Sequence, residues 1–384
     1  MPAQSRDRVQ FIDIARGSAM FFVLLSHFAF TYFARSDSTR PALTFIGMVA
    51  SPTFVMINGL LLGLIFRTRP QDFDRFRTIV IDRGLFLLTI GHILILLSHV
   101  TYAVRFLSIT DTVGVCMLIS PGLISVMGAR GRLITSVVGY AVSAVVYLSW
   151  YPIGLHAHVF KEAFFGVAEH SRFTYAFPIV PWFCWQLAAT VLGEQLGARV
   201  LSDDTPAVHA LLLRTAAACL TIAMLLKVSY HLAVRLGAAP SDALYDATSP
   251  FTKAPPSLVY LLFYGSLGLV MLSLSLGLAK SARMRFAAAR LAALGQTSFP
   301  IFVIQFFVYF TVLPLIRPHL PWPSLWPLYF SITTVAVAIP ALFWHRAGGN
   351  RFLTVGYPRM ASGLGDLREC WPLWLRRSQP RRML

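Results

Sequence analysis

The chain has 384 residues, of which 56% are hydrophobic and only 13% charged, and its formal net charge is +17. Soluble domains carry about 25% charged residues, so this balance excludes an ordinary water-soluble domain and points to a protein that crosses the bilayer many times. The positive excess does not argue for nucleic acid, because the arginines and lysines sit mainly in short clusters between apolar runs and in the C-terminal tail, where anionic lipid headgroups suit them better.

Ten spans are expected, at roughly 10–34, 43–66, 80–104, 107–127, 133–151, 177–200, 207–227, 256–279, 294–316 and 323–345, several of them near the ~20 residues needed to cross. The fold class is therefore all-α, a polytopic membrane bundle over residues 1–345, followed by a basic tail over 346–384. Placing the N-terminus in the cytoplasm puts most Lys and Arg on the inner side. The first run is long, carries charges and lacks a small-residue cleavage site, so it is expected to remain as the first span. The four cysteines (Cys116, Cys184, Cys219, Cys370) form no paired pattern and read as small apolar residues.

That first span, Phe11 to Phe33, holds Asp13, Arg16 and His27 in an otherwise apolar stretch. An ionisable side chain costs roughly 2.5–3.5 kcal/mol at the middle of a spanning helix, so three together call for a task. At about 100° per residue, eleven steps return His27 to nearly the face of Arg16, about 16 Å further along the axis. Asp13 lies within i,i+3 reach of Arg16. The bland alternatives are a polar helix contact for His27 and a structural ion pair for Asp13 and Arg16.

Further along, Asn58 is a candidate oxyanion donor or a bridge between helices. Asp82 and Arg83 open the third span, where Arg83 either serves a site or snorkels to the interface. His92 and His99 share a face, but no carboxylate or cysteine stands at ligand spacing, so no metal is expected. Asp111 is expected to orient a histidine or to cap a helix. Glu194 and Arg214 are a candidate structural pair between neighbouring spans. Two outer loops stand out, 152–176 with His156, His158, His170, Lys161 and Glu162, and 228–255 with Tyr230, His231, Asp242, Asp246 and Lys253. In the tail, Trp371, Trp374 and the closing arginines form either an interfacial segment or a disordered topology anchor.

Several stretches carry a family resemblance. "RVQFIDIARGSAMFFVLLSHF", with Arg16, Gly17 and His27, resembles the opening helix of the acyltransferase-3 family. "ASPTFVMINGLLLGLIF" resembles its second helix, "DRFRTIVIDRGLFLL" its basic loop and the arginine of the third span, and "LGQTSFPIFVIQFF" its late Gly-x-x-Ser-aromatic helix. "FPIVPWFCWQLAATVLG" and "KAPPSLVYLLFYGSLG" are similar to the Pro-Trp and Lys-x-Pro-Pro-Ser helices of a sister branch, the heparan-glucosaminide N-acetyltransferase-like membrane proteins. There are departures. Asn58 stands where the family often has serine, Gln305 where it often has histidine, and residues 34–52 hold no histidine to match the sister branch.

The resemblance implies an acyltransferase moving an acyl group, acetyl in the first instance, from cytosolic acyl-CoA to a hydroxyl or amine of an envelope or lumenal glycan or lipid-linked sugar. Its partners are then acyl-CoA, that acceptor and membrane lipid, with no nucleic acid and no metal, in a bacterial inner membrane. Acyl transfer to a hydroxyl needs a base near neutral pH and positive groups near the developing oxyanion and the donor phosphates. His27 is the candidate base, Arg16 with Asp13 the charge-holding pair, and Arg83, Asp82 and Asn58 the donor-binding group. A succinyl or longer donor is one alternative. A secondary transporter or flippase is another, because intramembrane Arg, Asp and His also mark proton-coupled carriers.

Overall fold

Backbone buried in lipid has to satisfy its own N–H and C=O groups, and apolar runs of this length do so as helices. The computed structural model describes residues 4–98, 106–149, 159–166, 174–175, 177–237 and 242–357. It is an all-α bundle. Among the described residues, nine helical stretches are long and apolar enough to cross a membrane.

The chain opens with α1 (Gln4–Tyr32) and a short α2 (Thr39–Gly47) that leads into α3 (Ala50–Thr68). The third span is α4 (Phe73–Phe86), a π-turn over Leu87–Gly91, and α5 (His92–Ser98). There follow α6 (Ile109–Val126), α7 (Ala129–Ser149), the single turn and a half of α8 (Val159–Phe164), α9 (Ile179–Leu201) and α10 (Thr205–Arg235). The last third consists of α11 (Asp242–Thr248), α12 (Leu258–Lys280), α13 (Arg285–Gln296), α14 (Ser298–Phe307), α15 (Leu313–Ile316) and α16 (Trp326–Arg346). Two-residue strands, β1 (Phe106–Leu107) and β2 (Thr174–Tyr175), pair in parallel beside the bundle.

The expected span at 177–200 is present as α9, 23 residues long, yet it is less apolar than the other nine because Gln186, Thr190 and Glu194 interrupt it. A helix enclosed by neighbours need not be apolar all round. Here α3 packs along one side of α9, with α6 and α7 on others. By contrast, α7 turns Ile134, Val137 and Val145 outward, and α10 does the same with Leu225 and Val228, which are their lipid faces.

The expected ninth span, 294–316, is cut at its start. Thr297 leaves helical geometry (φ −107°, ψ 20°), so α13 ends at Gln296 and the crossing stretch begins at Ser298. Pro300 explains the break, since its ring would clash with the carbonyl four residues back in a continuous helix. The consequence is a separate helix, α13, laid along the first turns of α1. The contact is made backbone to backbone. A Cβ on Gly17 would stand 2.0 Å from the Leu291 carbonyl, and one on Gly295 would stand 2.0 Å from the Asp13 carbonyl. In lipid, where apolar burial gives helices little reason to associate, close approach through small residues supplies the packing instead.

The pairing of Glu194 with Arg214 is corrected. Glu194 instead takes the Arg132 guanidinium from α7, and Arg132 also donates to Thr190 Oγ1 at 2.9 Å. Arg214 lies exposed on α10. Arg132 is only 1% exposed, and in that setting a carboxylate one helix away has to compensate its charge.

Candidate active site

A cavity of about 520 Å³ lies inside the bundle between α1, α3, α4, α6 and α14. Arg16, His27, Asn58 and Arg83 all line it, as do Gln186, Gln296 and Lys253. Four of the six sequence-derived site residues therefore meet in one space. Asp13 and Asp82 do not line it, and each holds a neighbouring element instead.

Arg16 and His27 project from one face of α1, as the eleven-residue spacing requires. Asp13 stands 3.6 Å from the Arg16 guanidinium and accepts a hydrogen bond from Gln296 Nε2 at 2.8 Å. Gln296 ends α13, so the glycine contact between α1 and α13 sets this triad. From there a polar chain runs on. The Gln296 carbonyl accepts from Asn350 Nδ2 at 2.9 Å, and the Asn350 carbonyl accepts from Arg83 at 2.9 Å. The two guanidiniums are thus tied by the sequence Arg16, Asp13, Gln296, Asn350, Arg83. Asp82 accepts backbone N–H bonds from Val355 (3.1 Å) and Tyr357 (2.9 Å), fastening the segment after α16 against α4. Trp371 and Trp374 lie outside the described residues.

At the other end, His27 Nδ1 and Gln305 Oε1 are 2.7 Å apart, and Gln305 is fully buried. With Nδ1–H donating to that carbonyl, Nε2 keeps its lone pair. Phe306 and Phe310 close on the ring edge-on, with centroids 5.5 and 5.4 Å away. Phe310 belongs to a second π-turn, Val308–Val312, in the span that carries Gln305. Such turns re-aim side chains that a regular helix would point elsewhere.

Asp111 does both things expected of it. One oxygen meets His92 Nδ1 at 2.9 Å. The other accepts from the Ser108 N–H at 2.7 Å and hydroxyl at 2.8 Å, forming the capping box of α6. Ser108 and Thr110, which this arrangement fixes, line the cavity. His99, His156, His158 and His170 lie outside the described residues. Among the described residues, no group of three or more His, Cys, Asp or Glu gathers at metal-binding spacing.

Gln186, Gln296, Asn350 and the role of Lys253 in the cavity escape a reading of the sequence. Gln186 carried a usable signal, a polar residue in the middle of an apolar run, where burial is costly. It is 1% exposed and donates to Ser120 Oγ at 3.2 Å. Asn350 carried none, because it lies beyond the last span in what reads as tail.

Chemically, the site offers guanidiniums at one end and an imidazole with a free nitrogen at the other. A stretch of mixed polar and apolar wall joins them. No curated protein sequence matches the chain. The profile of the acyltransferase domain known as acyltransferase-3 matches residues 9–345, nearly all of the described bundle. The chain belongs to the acyltransferase-3 family, and it is a multi-pass membrane acyltransferase.

Proposed function

We propose that this acyltransferase sits in a bacterial inner membrane with its N-terminus in the cytoplasm and moves an acetyl group from cytosolic acetyl-CoA to a hydroxyl or amine of an envelope or lumenal glycan. The observation that carries this reading is that Arg16, Arg83 and His27 line a single cavity rather than facing lipid or separate pockets. The guanidiniums at the Gln296 end are always charged and present forked donors to phosphate oxygens, which suits the pyrophosphate of the donor. Arg83 spends one N–H on Asn350 and keeps the rest. His27 lies about 16 Å away along α1, a separation that a pantetheine arm bridges in extended form.

In the reaction so arranged, Nε2 of His27 takes the acceptor proton as the acceptor oxygen or nitrogen forms its bond to the acyl carbon. The carbon–sulfur bond breaks, and the departing thiolate recovers a proton from the imidazolium. Asn58 and Gln186 line the cavity and offer side-chain amides to the developing oxyanion. Gln305 holds the ring in the tautomer that the base role needs.

The test uses purified full-length protein in nanodiscs, radiolabelled acetyl-CoA and envelope fractions. Label is expected to pass into glycan with one CoA released per acyl group. His27→Ala should lower the rate by about 10²–10⁴-fold, the usual worth of a positioned general base. Full transfer by that variant would falsify the base assignment. Movement of a sugar substrate across proteoliposomes without CoA release would favour a carrier instead.

A further inference from the structure

Lys253 stands in the loop before α12 and lines the same cavity as His27. The 23 residues of α12, rising about 34 Å, separate this loop from the start of α13. Its charge reaches the His27 ring. Burial lowers the ammonium to about 8. Among the described residues, no carboxylate lies within ion-pair distance of it, and none lines the cavity. Its contact is the face of Phe177, 4.6 Å from the ring centroid. Lys253 is half-buried, and an aromatic face offsets about 0.5–2 kcal/mol of the cost of a partly desolvated cation.

The loop that presents it is held firmly. Ser257 N–H donates to the Thr252 carbonyl at 3.1 Å, and Ser257 Oγ donates to the Ser249 carbonyl at 2.6 Å. Tyr140 on α7 donates its hydroxyl to the Pro256 carbonyl at 3.0 Å. A cation fixed in this way, beside the base and without a counter-charge, is preorganised for an anion that arrives with a ligand.

Resting on the acyl-transfer reading above, we infer that the acceptor is itself anionic, with a carboxylate or phosphate near the reacting hydroxyl or amine that pairs with Lys253. The chemistry is that of an acidic sugar or a sugar phosphate, and Phe177 offers the adjoining face on which a sugar ring rests.

The experiment follows label from radiolabelled acetyl-CoA into envelope fractions, using the full chain in nanodiscs. Methyl glucuronide, glucose 1-phosphate and methyl glucoside serve as competitors. The labelled product is expected to bind an anion exchanger, and one of the two anionic competitors should block labelling at a concentration about tenfold or more below that of methyl glucoside. Which of the two does so tells carboxylate from phosphate. Lys253→Met should erase that difference while leaving the KM for acetyl-CoA and the unfolding temperature unchanged, and Lys253→Arg should retain it. A neutral labelled product, or an unaltered preference in Lys253→Met, overturns the inference while the His27→Ala result still supports acyl transfer. Absence of labelling in the parent protein overturns both.

Discussion

One hydrogen-bond partner, Gln305, fixes the His27 ring, while an ion pair with Asp13 holds Arg16. The imidazole rests on Gln305, a neutral acceptor, where many histidine bases rest on a carboxylate. An amide fixes orientation without adding negative charge to the cavity. Gln305→Leu is expected to leave a folded protein in which kcat falls about tenfold with the acetyl-CoA KM unchanged, the worth of one orienting hydrogen bond. Equal kcat values for the two proteins would remove Gln305 from the mechanism. Arg132 is the other residue whose partner matters, for stability rather than turnover. Arg132→Met leaves the half-buried Glu194 without its cation, and because that carboxylate keeps some contact with solvent the loss stays below the roughly 3–5 kcal/mol of a fully buried pair. A lower unfolding temperature in detergent, together with unaltered kinetics per folded molecule, is the expected result. The pairing of Arg16 with Asp13 was legible from i,i+3 spacing and the cost of burial. That of Arg132 with Glu194 was not, because spacing along one helix says nothing about which neighbour a side chain meets.

At the scale of elements, the contact of α1 with α13 sets the Arg16 end of the cavity. Gly17 and Gly295 let the two backbones touch, and this brings Gln296 onto Asp13 and so orders Arg16. Gly17→Ala would force the helices apart at the level of the guanidinium. A displacement near 1 Å typically costs about 100-fold in rate, so acetyl transfer should drop on that order while α1 stays helical. Circular dichroism with a single-turnover assay separates this from unfolding. Nine of the ten expected spans stand among the described residues as long apolar helices, readable from apolar length, while the tenth, α9, is a more polar helix enclosed by its neighbours. The break at Thr297 is foreshadowed only by Pro300, and the π-turns at Leu87–Gly91 and Val308–Val312 have no sequence mark at all. They matter because they precede His92 and carry Phe310.

For the whole molecule, the segment after α16 is part of the site. Asn350 joins Gln296 to Arg83, and Asp82 holds Val355 and Tyr357 in place. Removal of residues 346–357 or the single change Asn350→Ala should therefore raise the acetyl-CoA KM, by roughly tenfold for the single change, without altering acceptor preference. A donor KM that does not move would show the two guanidiniums to be set independently. Nothing in a basic, Gly-containing stretch beyond the last apolar run announces this, since its contribution arises from contacts across 54 and 267 positions of chain.

The charge on the cavity wall has a further consequence. Arg16, Arg83 and Lys253 line one cavity inside the bundle, and among the described residues no carboxylate stands on its lining. Fixed positive charge in a narrow pore repels hydronium and metal ions. On the acyl-transfer reading proposed above, such a lining favours a polyanionic donor while turning away protons and metal cations.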